Sequence, residues 1–347
     1  MKCFPVIFLL ILIFPSCIRG QIPVVRNLVF EGGGIRGIAY SGAVRGLEER
    51  GLLQQVQRFG GTSAGAITAL LLSLGYSAKE MTSIVGNTSF EKFNDGKFFL
   101  FGGINRVKKY YGWYRGIRFE EWLEKIIRQK TANPNISFAE MHARGFKDLY
   151  VTGTCLNKQS LVVFSYETYP LMKIKDAVRI SMSIPFYFEA VFVNASGTIF
   201  FHPKNKTGLD VFADGGFIAN FPIRIFDSTR YVHPEQRNSY TSNFETLGFR
   251  IDRQEQIDYD TSGKGLAEIP IVSVNDYVLA FYNMILESLN RQTLTSEDWK
   301  RTVSISDGNI SPRIRKLQKE EINILVDNGY SATKYFLDHH LTSDKKK

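Results

Sequence analysis

The chain has 347 residues, 44% of them hydrophobic, and a formal net charge of +9. That length suits one large domain or two ordinary ones, and that apolar content is enough for a sizeable core. Three cysteines, two of them near the N-terminus, are too few for a disulfide-stapled scaffold.

The first twenty residues read as a secretory signal peptide. Met1-Lys2 gives a positive start, Phe4 to Phe14 is almost wholly apolar, and small residues follow at Ser16, Cys17 and Gly20. The apolar run is short for a membrane span. Cleavage is expected after Gly20; acylation of Cys17 as a lipoprotein, or a retained anchor, are the alternatives. Removing Lys2 and Arg19 lowers the charge from +9 to +7 and leaves Cys155 as the one cysteine. An intrachain disulfide and a thiolate metal site are then excluded. The basic balance favours anionic lipid surfaces; no nucleic-acid motif accompanies it.

In chain order, Asn27 to Glu31 reads as a short buried strand running straight into Gly32-Gly33-Gly34. Ile38 to Arg50 has helical spacing and stops at Gly51. Val56 to Phe59 is a second strand, entering Gly60-Gly61-Thr62-Ser63. Ala64 to Leu74 is a nearly all-apolar helix ending at Gly75. Strand, glycine turn and helix thus occur twice in succession, which predicts an α/β fold with a mostly parallel, buried sheet. Phe119 to Lys130 is an amphipathic helix. Leu149 to Leu156 and Leu161 to Ser165 are strands, and Asp176 to Ser183 is a helix stopping before Pro185. Glu189 to Phe201 is a hairpin around Ala195-Ser196-Gly197. Val211 to Ala213 is a strand end leading into Asp214. Residues 235–265 are polar and read as a long loop. Tyr277 to Leu289 and Lys316 to Asn328 are helices. No domain boundary stands out after residue 21.

Gly61-Thr62-Ser63-Ala64-Gly65 is a G-x-S-x-G sequence between a strand and a helix. Flanking glycines permit a sharp turn, the serine projects at its apex, and the helix N-terminus can stabilise a developing anion. The alternative is a small-residue turn packed on a neighbouring strand. Gly32-Gly33-Gly34-Ile35-Arg36-Gly37 also fits a dinucleotide fingerprint, but that site needs an acidic residue ending the second strand, where this chain has Gly60-Gly61. A loop of backbone N–H groups for an oxyanion, with Arg36 adding charge, fits better; Arg36 as a surface ion-pair partner is the alternative. No nucleotide cofactor is expected.

A serine nucleophile needs a base. His142, His202, His233, His339 and His340 all lack a strand-end glycine turn. Asp214-Gly215-Gly216 has one, although an aspartate in such a turn is more often a turn former.

In order and spacing, the glycine loop at 32–37, the pentapeptide at 61–65 and Asp214-Gly215-Gly216 resemble the three signatures of patatin-like phospholipases. Ala177 to Pro185 resembles the family's helix before a proline, and Tyr111 to Leu123 its aromatic-rich helix entry. The resemblance covers about residues 27–225; beyond it only Lys316 to Tyr330 is suggestive. It implies a three-layer α/β/α sandwich and a Ser–Asp dyad. Ser63 would be the nucleophile and Asp214 the base. Gly32, Gly33, Gly34 and Arg36 would form the oxyanion site. Gly61 and Gly65 would shape the elbow, with Gly215, Gly216 and Pro185 in support. No metal or cofactor is implied. The expected substrate is a lipid ester met at a membrane surface; a non-catalytic lipid-binding or storage protein is the alternative.

The segment Phe90 to Trp122 interleaves aromatic rings with Lys and Arg. One reading is a lid that touches membrane, the other rings packed inside a helical layer. Asn87, Asn135, Asn194, Asn205 and Asn309 open glycosylation sequons.

Overall fold

The computed structural model describes residues 24–96, 99–231, 242–273, 277, 280–281, 284, 291 and 293–340, with only the backbone at 99–101. The expected signal peptide at 1–20, most of the helix expected at Tyr277 to Leu289, and His233 lie outside them.

Eleven strands are described: β1 (Asn27–Phe30), β2 (Arg58–Gly61), β3 (Gly112–Tyr114), β4 (Asp148–Cys155), β5 (Ser160–Phe164), β6 (Phe186–Phe188), β7 (Val191–Val193), β8 (Ile199–Phe200), β9 (Asp210–Asp214), β10 (Thr246–Asp252) and β11 (Thr302–Ser306). The helices are α1 (Ala39–Glu49), α2 (Ala64–Ser73), α3 (Ala78–Gly86), α4 (Phe99–Tyr110), α5 (Ile117–Thr131), α6 (Phe138–Ala143), α7 (Ile174–Ser181), α8 (Gly216–Ala219), α9 (Gln254–Ser262), α10 (Ser296–Lys300) and α11 (Lys319–His339). The main sheet runs β11-β10-β1-β2-β4-β9-β7-β8, with β5 also on β4. From β11 to β4 the strands are parallel; β9, β7, β8 and β5 add an antiparallel edge. The small sheet pairs β3 with β6.

β1 lies between β10 and β2, so both of its edges are paired, and all four of its residues are buried. Leu28 and Phe30 join the large core beneath the helices. Val29 faces the other way, into a smaller cluster with Tyr150, Phe221, Ile223 and Phe226. Helix α2 is buried along its whole length, which explains why it is apolar all round. Serine–glutamate capping boxes start α3 and α6. Among the described residues no helix is long and apolar enough to cross a membrane.

Three expectations are corrected. The supposed loop at 235–265 contains β10 and α9. β10 looks polar because Arg250 and Asp252 lie on it, yet both are buried, Arg250 against Glu31 and Asp252. The C-terminal region is therefore not only helical: β10 and β11 extend the sheet beside β1. The helix expected to end at Asn328 continues to His339. Gly329 stays helical because a Cβ there would lie 2.0 Å from the Ala39 carbonyl oxygen, so it serves close contact with α1 rather than a helix stop.

Candidate active site

The parallel strands deliver their C-terminal ends to one edge of the sheet, where sites of open α/β folds form. β2 ends there in Gly61, and Ser63 turns the chain into α2. Ser63 has φ 53° and ψ −119°, a region a non-glycine residue adopts only when its surroundings enforce it. The enforcement is visible in its flanks. A Cβ at Gly61 would lie 2.3 Å from the Gly65 carbonyl oxygen, and one at Gly65 2.1 Å from that of Phe30. The Thr62 N–H donates to Phe30 O (3.2 Å), which fixes the turn to β1, and the Thr62 and Thr152 hydroxyls pair at 2.6 Å. The Ser63 N–H donates to Ser181 Oγ at 2.8 Å, and its Oγ lies 3.3 Å from Met182 Sδ.

Asp214 ends β9, opposite Gly153 of β4. It is 3% exposed. Its N–H donates to Ser183 O (2.9 Å) and its carbonyl accepts from Thr154 Oγ1 (2.8 Å). Ser183, just after α7 has ended, thus docks on the aspartate. A Cβ at Gly215 would meet Thr152 Oγ1 at 2.4 Å, so this turn too needs a glycine. The Gly216 N–H donates to Asp214 Oδ1 (2.8 Å), and the Ser63 side chain lies close enough to the same carboxyl to favour its charged form. Burial pushes the Asp214 carboxyl up to about 7, against the lowering effect of the Gly216 N–H and of the nearby Ser63 side chain. Ser63 and Asp214, far apart in sequence, are brought to the same edge of the sheet.

The glycine loop completes the edge. After Gly32 the chain forms a 3-10 turn over Gly34–Ile38 that leads into α1. The first N–H groups of such a turn have no partner within it. Gly34 has φ +59°, and a Cβ on Gly37 would lie 3.0 Å from the Ala64 Cβ, next to Ser63. A Cβ on Gly32 would lie 3.3 Å from the Ser63 Cβ.

Arg36 differs from the expectation of added charge at the anion. Its guanidinium donates to Asp307 Oδ2 (2.8 Å) and to Gly33 O (3.2 Å), so it clamps the loop to the end of β11. Beside this clamp lies a cavity of about 510 Å³ lined by Arg36, Ile251, Leu266, Ala267, Ile310 and Pro312, among others.

Two contributors were not read from the sequence. Met182 touches the serine from the end of α7. Asn220, just after α8, donates through Nδ2 to Gly32 O (3.1 Å) and Glu31 Oε1 (3.3 Å), while its carbonyl accepts from the Gly32 N–H (3.0 Å). Its signal is its place at the end of the short helix that begins in the Asp214 turn.

The described histidines have other partners. His142 pairs with Asp148 (2.7 Å), His202 with Glu189 (2.6 Å), and His339 with the Tyr335 carbonyl (2.8 Å). The aromatic stretch divides. Phe90, Phe93, Phe119 and Trp122 form one packed cluster, as the internal reading expects. Tyr111 stays 40% exposed, beside Phe186, which is 72% exposed.

A buried strand–turn–helix serine, an aspartate against it and a glycine loop alongside define a class, the α/β lipid acyl hydrolases. The patatin-like phospholipase model matches residues 28–227. The chain belongs to that family, whose family-level activity is lipid hydrolysis. It is 30% identical to protein R571 of Acanthamoeba polyphaga mimivirus over 312 residues, covering 89% of this chain and 93% of that one. It is 26% identical over 286 residues to the protein named "Probable lipid hydrolase 463L" of Invertebrate iridescent virus 6, covering 82% of this chain and 90% of that one. Among solved structures, VipD of Legionella pneumophila has the same fold, with a TM-score of 0.56 at 18% identity over 92% of this chain and 67% of that one.

Proposed function

We propose that the protein cleaves carboxylic esters of membrane lipids through an acyl-enzyme on Ser63, with Asp214 as general base. The observation that carries this reading is a buried Asp214 carboxyl, pushed up to about 7 and placed close to the Ser63 side chain at the strand–turn–helix. Asp214 takes the hydroxyl proton as Ser63 Oγ attacks the ester carbonyl. N–H groups of the glycine loop and of the α2 N-terminus receive the oxyanion. Asp214 returns the proton to the departing alcohol. Water then gives a proton to Asp214 and attacks the acyl carbon, and Asp214 passes that proton to the departing Ser63 Oγ, which frees the fatty acid and restores the dyad. A base that titrates near neutrality suits this shuttle.

The apolar cavity beside the loop supports a long acyl chain as part of the substrate. Contact with the lipid surface is proposed for the exposed Tyr111 and Phe186 rings, with Lys206 held over the Tyr111 ring at 4.4 Å. The apolar leader before residue 21 is proposed to export the chain; N-terminal sequencing of secreted protein tests that.

Ester hydrolysis by the purified protein is compared with Ser63→Ala, Asp214→Asn and His233→Ala. Losses of about 10³-fold or more are expected for the first two and little change for the third. Undiminished activity in either of the first two overturns the dyad, and a comparable loss in the third moves the base to histidine.

A further inference from the structure

Asn220 sits where three parts of the site meet. Through Nδ2 it donates to the Gly32 carbonyl, and through its own carbonyl it accepts from the Gly32 N–H, so one residue brackets the entry to the glycine loop. Its amide oxygen occupies the space of two missing side chains. A Cβ on Gly32 would lie 2.4 Å from Asn220 Oδ1, and one on Gly216 3.0 Å from it. Gly32 neighbours Ser63, and the Gly216 N–H holds the Asp214 carboxylate. The amide itself is oriented by a buried charge. Asn220 Nδ2 donates to Glu31 Oε1, and Glu31 is fixed by Arg250 (3.2 Å) and by the Ile251 N–H (3.2 Å) on β10.

We propose that Asn220 is a positioning residue that locks the glycine loop to the Asp214 turn, its amide being aimed by the Glu31–Arg250 pair. The proposal rests on the acyl-hydrolase reading and adds to it a device that keeps oxyanion donors and base in register. The physical reason for an amide is its two-sidedness. Only Asn or Gln offers a donor for the Gly32 carbonyl and Glu31 together with a small acceptor atom between two glycines. Misplacing a donor or base by about 1 Å costs on the order of 10²-fold in rate.

Asn220→Ala and the isosteric Asn220→Asp are assayed on a short-chain ester beside the wild-type protein, with thermal melting of each. Asn220→Ala is expected to lower kcat by about 10²-fold while KM stays within roughly threefold. Asn220→Asp puts a carboxylate among Glu31, Asp214 and, through Glu31, Arg250. The added negative charge should move the rising limb of the pH–rate profile alkaline by about one unit. A carbon-detected NMR titration of the Asp214 carboxyl in Asn220→Asp should move the same way, and it reads the coupling without turnover. The proposal is overturned if kcat is unchanged in both variants. It is also overturned if activity falls only with melting temperature while the Asp214 titration stays where it was. A wild-type protein with no esterase activity but with the titration shifted by Asn220→Asp would keep the coupling and reject the hydrolase reading.

Discussion

Gly65, the second residue of α2, lies against the Phe30 carbonyl at the end of β1: a Cβ there would stand 2.1 Å from that oxygen and 2.7 Å from the Glu31 carbonyl. Both neighbours are backbone of the central strand, so neither can yield cheaply. Gly65→Ala should therefore push α2 away from β1 and move Ser63 with it. The expected result is a stability loss of about 2–3 kcal/mol, seen as a lower melting temperature, with activity reduced by about 10²-fold. Wild-type melting and rate would show that the turn tolerates the methyl group.

Asp214 must be ionised to take the Ser63 proton. Because burial raises its carboxyl to about 7, kcat/KM should climb about tenfold per pH unit below that point and level off above it. A pH–rate profile of the wild-type protein measures the midpoint. A limb near the ordinary carboxylate range would contradict the burial that raises Asp214.

The same shift has a consequence for stability. The native carboxyl holds its proton up to about 7, whereas the unfolded one releases it near 3.8. Between those values the native state binds more protons, so stability falls as pH rises, by roughly 4 kcal/mol once both are passed. Asp214→Asn carries no such charge. It should melt higher than wild type at about pH 8 and close to wild type at about pH 4, although it lacks activity. A lower melting temperature than wild type at both pH values would contradict the burial cost.

These parts of the site were legible to different degrees for physical reasons. Ser63 could be read because its strand, turn and helix are contiguous, and local sterics dictate glycines on both sides. Asp214 could be singled out by the same kind of strand-end turn. Arg36 could not be placed, because its partner Asp307 comes from the far end of the chain and local sequence says nothing about which carboxylate reaches it. β10 escaped notice because a strand carrying Arg250 and Asp252 does not look buried; what makes it so is the pairing of Arg250 with Glu31 and of Asp252 with Arg291. Asn220 has only the faint signature of its place at the end of the helix that begins in the Asp214 turn; its role comes from contacts with Glu31 and Gly32, which lie far away in the sequence. The aromatic stretch was ambiguous because composition alone cannot distinguish Phe93, packed on Phe119, from Tyr111, which faces solvent.

The cavity beside the loop makes acyl length a testable property. Ile310 is 6% exposed and lines that space. Ile310→Trp should fill part of the 510 Å³. Hydrolysis of a long-chain ester is expected to fall about tenfold relative to a short-chain one, since each buried methylene contributes about 0.8 kcal/mol. An equal effect on both lengths would mean that the chain lies elsewhere.

Tyr111 and Phe186 meet across the small sheet, where the Phe186 N–H donates to the Tyr111 carbonyl at 3.1 Å. Both have positive φ, 66° and 64°, and both expose their rings. Strained backbone that holds apolar rings in water has no stabilising purpose in the fold itself, which makes a functional contact the better explanation. Phe186 also follows closely on Met182, the residue against Ser63, so a short segment of chain joins the exposed ring to the nucleophile. Lys206, over the Tyr111 ring, adds a cation suited to anionic headgroups. Tyr111→Ser with Phe186→Ser should lower binding to anionic phospholipid vesicles by roughly tenfold or more, measured by sedimentation with Ser63→Ala protein. The same pair in the active protein should leave hydrolysis of a soluble short-chain ester within about threefold of wild type. Vesicle binding that survives both substitutions would place the lipid-facing surface elsewhere, while an equal loss on vesicles and soluble ester would make the two rings part of the acyl site rather than of its approach to the membrane.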